Sequence, residues 1–256
     1  MIQGMGSTQT ALTADQINQI LEDCLITDGT SAKQYLFIVP DSTRSFPMAD
    51  LFRRIYSLLD PYAEKIDFLL ALGTHAYMSV EEIQAFFGLD EQAYLSSFPK
   101  TEIINHEWKN PDTFTRIGML TKEMVATCTE GRFSQEIPVA INKRVYDYDE
   151  IWIVGPVFPH EVVGFSGGHK YIFPGIGNLE FINFFHWLGA VITNAAIIGK
   201  QDTPVRSLIE QAARFLPKPI YALCGVVYND ILYGLFASEE PKLAWEEAAT
   251  LSEYLH

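Results

Sequence analysis

The sequence predicts an α/β fold with a mostly parallel sheet flanked by helices. Short apolar runs without alternation, at residues 35–39, 66–72 and 151–154, each end in a polar loop, the pattern of strands buried on both faces. Amphipathic stretches with helical spacing separate them, so strand and helix alternate along the chain. In open sheets of this kind ligands sit beyond the carboxyl ends of the strands. Those ends carry Asp41 and Arg44, then Thr74 and His75, then His160 through Lys170, so a ligand crevice is expected where the three loops meet.

In chain order, residues 13–24 read as a helix. Thr13 and Gln16 have capping-box spacing, and Ile17, Ile20, Leu21 and Cys24 share a face. Residues 35–39 follow as a strand closed by Pro40 and Asp41, and residues 48–59 as an amphipathic helix. A second buried strand, 66–72, is closed by Gly73-Thr74-His75, and Ser79 with Glu82 caps the next helix. Strand character recurs at 102–105, 115–120 and 137–145. The run 151–154 ends at Gly155-Pro156 and opens a loop over 157–178; loops of that length usually serve a function. The apolar stretch 179–198 is interrupted by Glu180, Asn183, His186 and Asn194. At about 100° per residue these fall in one stripe, which makes a buried helix with one polar face and not a bilayer span. Residues 221–228 read as one more strand and 241–255 as a final amphipathic helix.

At 256 residues the chain is read as a single α/β domain over 1–256, with 236–256 as the start of a connection to a second domain. Apolar residues make up 48% and charged residues 20%, enough for a packed core and unlike a disordered chain. The net charge of −14 is spread without long acidic runs, which excludes a nucleic-acid groove. Cys24, Cys128 and Cys224 are too scattered for a disulfide framework or a C-x-x-C knuckle, and no basic-then-apolar leader opens the sequence. A cytoplasmic setting without membrane partners is expected. Oligomeric state leaves no trace in the sequence.

The loop Gly164-Phe165-Ser166-Gly167-Gly168-His169-Lys170 has the makings of an anion site, because adjacent glycines let backbone N–H groups approach and lysine adds charge. It is not a Walker A loop, since His169 and Tyr171 stand where glycine and a hydroxyl residue are needed. A plain glycine turn with a surface lysine fits equally well. If desolvated, Lys170 can instead be a nucleophilic amine for covalent attachment. His75 and His160, at expected strand ends, are candidates for general acid–base chemistry. His186 offers an imidazole to a transition metal, although a solvated histidine is the commoner reading on a helix. Arg44 can clamp a carboxylate or phosphate through two parallel hydrogen bonds, or Asp41-Ser42-Thr43-Arg44 is a turn with an Asp cap.

Together these segments resemble the nickel-dependent lactate racemase family over residues 35–235. The carrying motifs are Asp41-Ser42-Thr43-Arg44 for its D-x-T-R, Gly73-Thr74-His75 for its G-T-H, and Pro159-His160 followed by Gly164-Phe165-Ser166-Gly167-Gly168-x-Lys170-x3-Pro174-Gly175. The resemblance implies a nickel-pincer nucleotide joined through a thioamide to Lys170, with His186 as the protein ligand to nickel; square-planar Ni(II) suits sulfur and carbon donors plus one imidazole. It also implies racemisation or epimerisation of a lactate-like 2-hydroxy acid. Breaking an unactivated Cα–H bond as a proton is very costly. In the family, hydride moves to the cofactor while a histidine takes the hydroxyl proton, and the planar 2-keto acid is re-reduced from either face. His75 and His160 match the two bases, and Arg44 the residue that orients the substrate carboxylate. Asp41, Thr43, Ser166, Gly167 and Gly168 are expected to hold the nucleotide, and cofactor-assembly enzymes become expected partners.

The chain departs from the family pattern at Ala76-Tyr77, where Arg-Pro usually follows G-T-H, and at Ser45, where proline is usual. Family members also carry a second α/β domain that closes the cleft, so the chain is expected to be the cofactor-binding part of such an enzyme. A non-catalytic nucleotide- or metal-binding module of the same fold is the alternative.

Overall fold

The computed structural model describes residues 1–27, 32–90 and 97–256. Its strands are β1 (Ile2–Gly6), β2 (Gln34–Val39), β3 (Lys65–Leu70), β4 (Ile103–Asn105), β5 (Phe114–Leu120), β6 (Ile137–Asn142), β7 (Glu150–Pro156), β8 (Pro159–His160), β9 (Gly164–Phe165), β10 (Tyr221–Tyr228) and β11 (Ile231–Ser238). Its helices are α1 (Ala14–Leu25), α2 (Met48–Leu59), α3 (Val80–Phe87), α4 (Lys122–Cys128), α5 (Leu179–Ile192), α6 (Asn194–Ile197), α7 (Pro204–Ala213) and α8 (Pro241–Leu255). The main sheet runs β1-β11-β10-β7-β2-β3-β4. Strands β10, β7, β2, β3 and β4 are parallel neighbours, and β11 and β1 extend the sheet in antiparallel fashion. The expected α/β fold with a mostly parallel sheet is therefore present.

Both faces of the sheet are covered, which explains the unbroken apolar runs. Leu36, Ile38, Ile151 and Ile153 face the core beneath α5, α7 and α8, where Phe181, Leu208 and Trp245 pack. The alternate residues Tyr35, Phe37, Trp152 and Val154 face the other core, filled by Leu21 of α1, Phe52 of α2 and Phe87 of α3. Both expected capping boxes form, at Thr13 with Gln16 and at Ser79 with Glu82.

Several boundaries differ from the sequence expectation. The strand over 137–145 stops at Asn142, whose side-chain oxygen accepts the Arg144 N–H at 3.0 Å and turns the chain. The stretch 179–198 breaks at Thr193, which has φ +79°, so the helix ends at Ile192. No described helix is long and apolar enough to cross a membrane. Strand β11 follows β10 through Asn229 and Asp230, with φ +50° and +62°. This is a two-residue hairpin loop of the kind that needs left-handed residues, which Asn and Asp tolerate.

His106, just beyond β4, is wholly buried, and its Nδ1 accepts the side-chain amide of Asn142 at 3.1 Å. Burial depresses its pKa to about 4, only partly offset by the Gly177 backbone. Unfolding therefore takes up a proton below the unfolded value near 6.5, so stability is greatest above that pH and falls as pH drops toward 4. The span corresponds to about 3 kcal/mol at most. Urea titrations of wild type and His106→Asn across this window should show a shallower pH dependence in the variant. Equal slopes would reject the assignment.

Candidate active site

Three strands deliver their loops to one cleft. Pro40 and Asp41 leave β2, Gly73 to His75 leave β3, and residues 157–178 leave β7. The loops are stitched together where the Gly73 N–H donates to the Gly175 carbonyl at 2.8 Å. The resulting cavity of about 190 Å³ is lined by Asp41, Arg44, His75, His160, Lys170 and His186, with Ser166 and Gly167 at its wall and Ile182 and Phe185 on its apolar side. Most of the candidate residues thus converge. Thr43 and Gly168 do not line the cavity. Thr43 instead bonds Asp41 through both its hydroxyl, at 2.5 Å, and its backbone N–H, at 3.1 Å.

Asp41 is nearly buried, and its Oδ2 lies 2.5 Å from His75 Nδ1. Burial works against its charge, but the hydrogen bonds from His75 and Thr43 prevail and hold the carboxyl below its usual range. A carboxylate only accepts, so His75 Nδ1–H must donate, leaving the Nε2 lone pair free. The Trp108 indole N–H donates to the His75 carbonyl at 2.8 Å and fixes the loop from behind. The pair has the arrangement of a base held by an orienting carboxylate.

His160 is built differently. It is buried, and its Nδ1 accepts the Val162 backbone N–H at 3.1 Å. The neutral ring therefore carries its hydrogen on Nε2. Burial, followed by the positive charges of Lys170, Arg44 and Arg206, pushes its pKa down to about 2. Lys170 is lowered to about 7 by burial and then by Arg44 and Arg206, against the opposing pull of Glu161 and Asp41. His186 on α5 is also held below its usual range, by burial first and then by Lys170. A neutral imidazole and a partly neutral amine can thus share the cleft.

The glycines of the 164–170 loop serve protein packing at close range. A Cβ on Gly164 would lie 1.9 Å from the Lys200 carbonyl oxygen, at φ +94°. One on Gly168, at φ +58°, would lie 3.0 Å from Cγ of Trp245. Sequence reasoning missed Glu161, which lines the cleft with its carboxylate 3.6 Å from His160, and Arg206, whose charge reaches both His160 and Lys170. Nothing near Arg206 in the sequence marks it, because it sits on a helix distant from the loop it touches. Among the described residues no group of three or more His, Cys, Asp or Glu side chains is placed to hold a metal ion. Any metal here would need donors from a cofactor beyond the single imidazole of His186.

Comparison with known proteins gives the same cleft a context. The chain is 28% identical over 220 residues to a lactate racemase of Thermoanaerobacterium thermosaccharolyticum, covering 83% of this chain and 40% of the relative. A crystal structure of a Thermotoga maritima protein superposes with TM-score 0.85 at 29% identity, over 98% of this chain and 61% of that one. The lactate racemase apoprotein structure from T. thermosaccharolyticum shares the fold with TM-score 0.68 at 21% identity, over 98% of this chain and 56% of that one. The chain thus spans less than two thirds of the length of these relatives. The lactate racemase N-terminal domain family matches residues 9–199, which include the cleft loops through α5, and the chain belongs to that family.

Proposed function

We propose that the chain is the cofactor-holding part of a 2-hydroxy-acid racemase or epimerase, with Lys170 as the attachment point for a nickel-pincer nucleotide and His186 as the protein ligand to nickel. The observation that carries this reading is a lysine held near neutrality in the same cleft as a neutral, metal-competent imidazole and an Asp-oriented histidine. The residues present fit such a group: Lys170 offers an amine able to attack an acyl carbon, and His186 offers one imidazole to a metal whose other donors the cofactor would bring. When bound, the cofactor supplies a hydride acceptor for the substrate Cα–H.

The chain's own residues supply the rest. Arg44 orients the substrate carboxylate through its guanidinium fork. Nε2 of His75 takes the hydroxyl proton, with Asp41 fixing the tautomer and balancing the imidazolium that forms. His160 lines the same cavity and serves the opposite face of the substrate. Ile182 and Phe185 keep that side of the cleft apolar, which strengthens each polar contact. Three buried free cysteines are consistent with a cytoplasmic setting.

Protein coexpressed with cofactor-assembly enzymes is expected to carry a mass adduct on Lys170 together with nickel, and to invert one of a panel of 2-hydroxy acids on chiral chromatography. Adduct and inversion together support the proposal. An adduct without inversion across the panel supports a binding module instead, and an unmodified Lys170 under those conditions rejects the cofactor assignment.

A further inference from the structure

The carbonyls of Phe165, Ser166 and Gly167 each meet a buried side-chain donor. Arg206 of α7 donates Nη2–H to the Phe165 oxygen at 2.5 Å and Nη1–H to the Gly167 oxygen at 3.3 Å. The indole N–H of Trp245, on α8, donates to the Ser166 oxygen between them at 2.8 Å. Arg206 is 3% exposed and Trp245 2% exposed. The guanidinium lies over the indole ring with its carbon 4.1 Å from the ring centroid, so the two donors brace one another. Glu210, one turn further along α7, stands 3.8 Å from Arg206 and accepts from His169 Nδ1 at 2.8 Å. From within the site's own strand, the Ser166 hydroxyl donates to the Pro156 carbonyl at 2.9 Å and accepts the Phe158 N–H at 3.0 Å.

We propose that Arg206 and Trp245 form a carbonyl clamp that fixes residues 165–167, and with His169–Glu210 sets where the Lys170 side chain enters the cleft. They are positioning residues, and the assignment rests on the reading of Lys170 as the attachment point. Both lie beyond residues 9–199, the part that matches the family. The geometry explains why three successive carbonyls are satisfied by two side chains from separate helices. A buried carbonyl left without a donor would seek one by moving, and Lys170 follows the clamped residues by only three to five positions. The double glycine admits the clamp, since Gly168 packs directly against the indole.

The test uses the full chain without cofactor and reads the position of Lys170 by its chemistry. Acetylation by an N-hydroxysuccinimide ester is followed by peptide mass spectrometry, with the rate at Lys170 divided by that at the exposed Lys122 and Lys143. Trp245→Phe keeps an aromatic surface for Gly168 and removes the donor to Ser166. Arg206→Met removes the side-chain donors to Phe165 and Gly167 and the charge, leaving the Gly167 oxygen only the Lys170 backbone N–H at 3.3 Å. In each variant that urea titration shows to be folded, the ratio is expected to fall about tenfold toward the surface value, as the lysine returns to ordinary solvation. Arg206→Met also removes a positive charge that depresses Lys170, so its ratio falls in either case, and Trp245→Phe, which changes no charge, decides. In that variant a purely structural role would lower the urea midpoint and leave the ratio at its wild-type value, which would overturn the clamp. A wild-type ratio no greater than one overturns both the clamp and the reading of Lys170 beneath it, whereas a high ratio retained in Trp245→Phe overturns the clamp only.

Discussion

At about pH 7 the Lys170 amine is expected to react with acylating reagents well ahead of the surface lysines, with a half-maximal rate near the same pH. Its pKa of about 7 leaves roughly half of it neutral there, against about one part in 10³ for an ordinary lysine. Lower basicity returns part of that advantage, leaving roughly one to two powers of ten in rate, by analogy with the way nucleophilicity falls with pKa in thiols. The sign follows from the causes. Burial and the charges of Arg44 and Arg206 disfavour the ammonium form, so the amine loses its proton early as pH rises. In the reaction the nitrogen lone pair forms a bond to the acyl carbon, the leaving group departs with its electron pair, and the nitrogen's extra proton passes to water. Lys170→Arg keeps the charge and cannot be acylated, so the fast phase should vanish while the slow surface phase persists. A single slow phase in wild type, or a midpoint near 10, would reject the assignment. The same property is what covalent attachment of a cofactor requires, which links the electrostatics of this loop to the proposed function.

How much of this was legible in the sequence divides along the range of the interactions. Strands β2, β3 and β7 and the three loops that leave them could be read, because a strand buried on both faces writes its own apolar run and the parallel topology then puts its carboxyl end at the ligand crevice. Helix starts could be read where a side chain caps its own backbone, as at Thr13 and Ser79. The β10–β11 hairpin has a signal in Asn229-Asp230 between apolar runs, a weak one because neither residue is glycine. Arg206 and Trp245 had none. Their meaning lies in contacts across 39 to 79 residues of chain, which neither periodicity nor local spacing encodes. The glycine pair was legible as a special turn, but the sequence could not say that Gly168 makes room for the Trp245 indole. The contact of Asp41 with His75, 34 residues away, was illegible for the same reason, whereas the bonds from Thr43 to Asp41 are local.

Replacing either cleft histidine with asparagine is expected to lower racemisation by about 10² to 10⁴, the usual range for a lost acid–base group. The two losses should arise differently. His75 has its Nε2 lone pair exposed because Asp41 holds the Nδ1 hydrogen, so Asp41→Asn should cost nearly as much as His75→Asn. The double variant should be little worse than either single one, since the second change removes a partner that has already lost its purpose. His160 presents Nε2–H in its neutral form, because Val162 occupies Nδ1. It must therefore exchange that tautomer, and give up the Val162 bond, before it can accept a proton from substrate. Enantiomers are equal in free energy, so kcat/KM must fall by the same factor in both directions for every variant, whichever face the missing histidine serves. The asymmetry between the two histidines can then appear only in kcat and KM taken separately. Initial rates from each pure enantiomer, followed by chiral chromatography of the cofactor-loaded protein, measure both. Retention of more than about a tenth of the activity in either histidine variant would remove that residue from the proton-transfer role. Additive losses in the Asp41–His75 pair would mean that the short contact between them orients nothing.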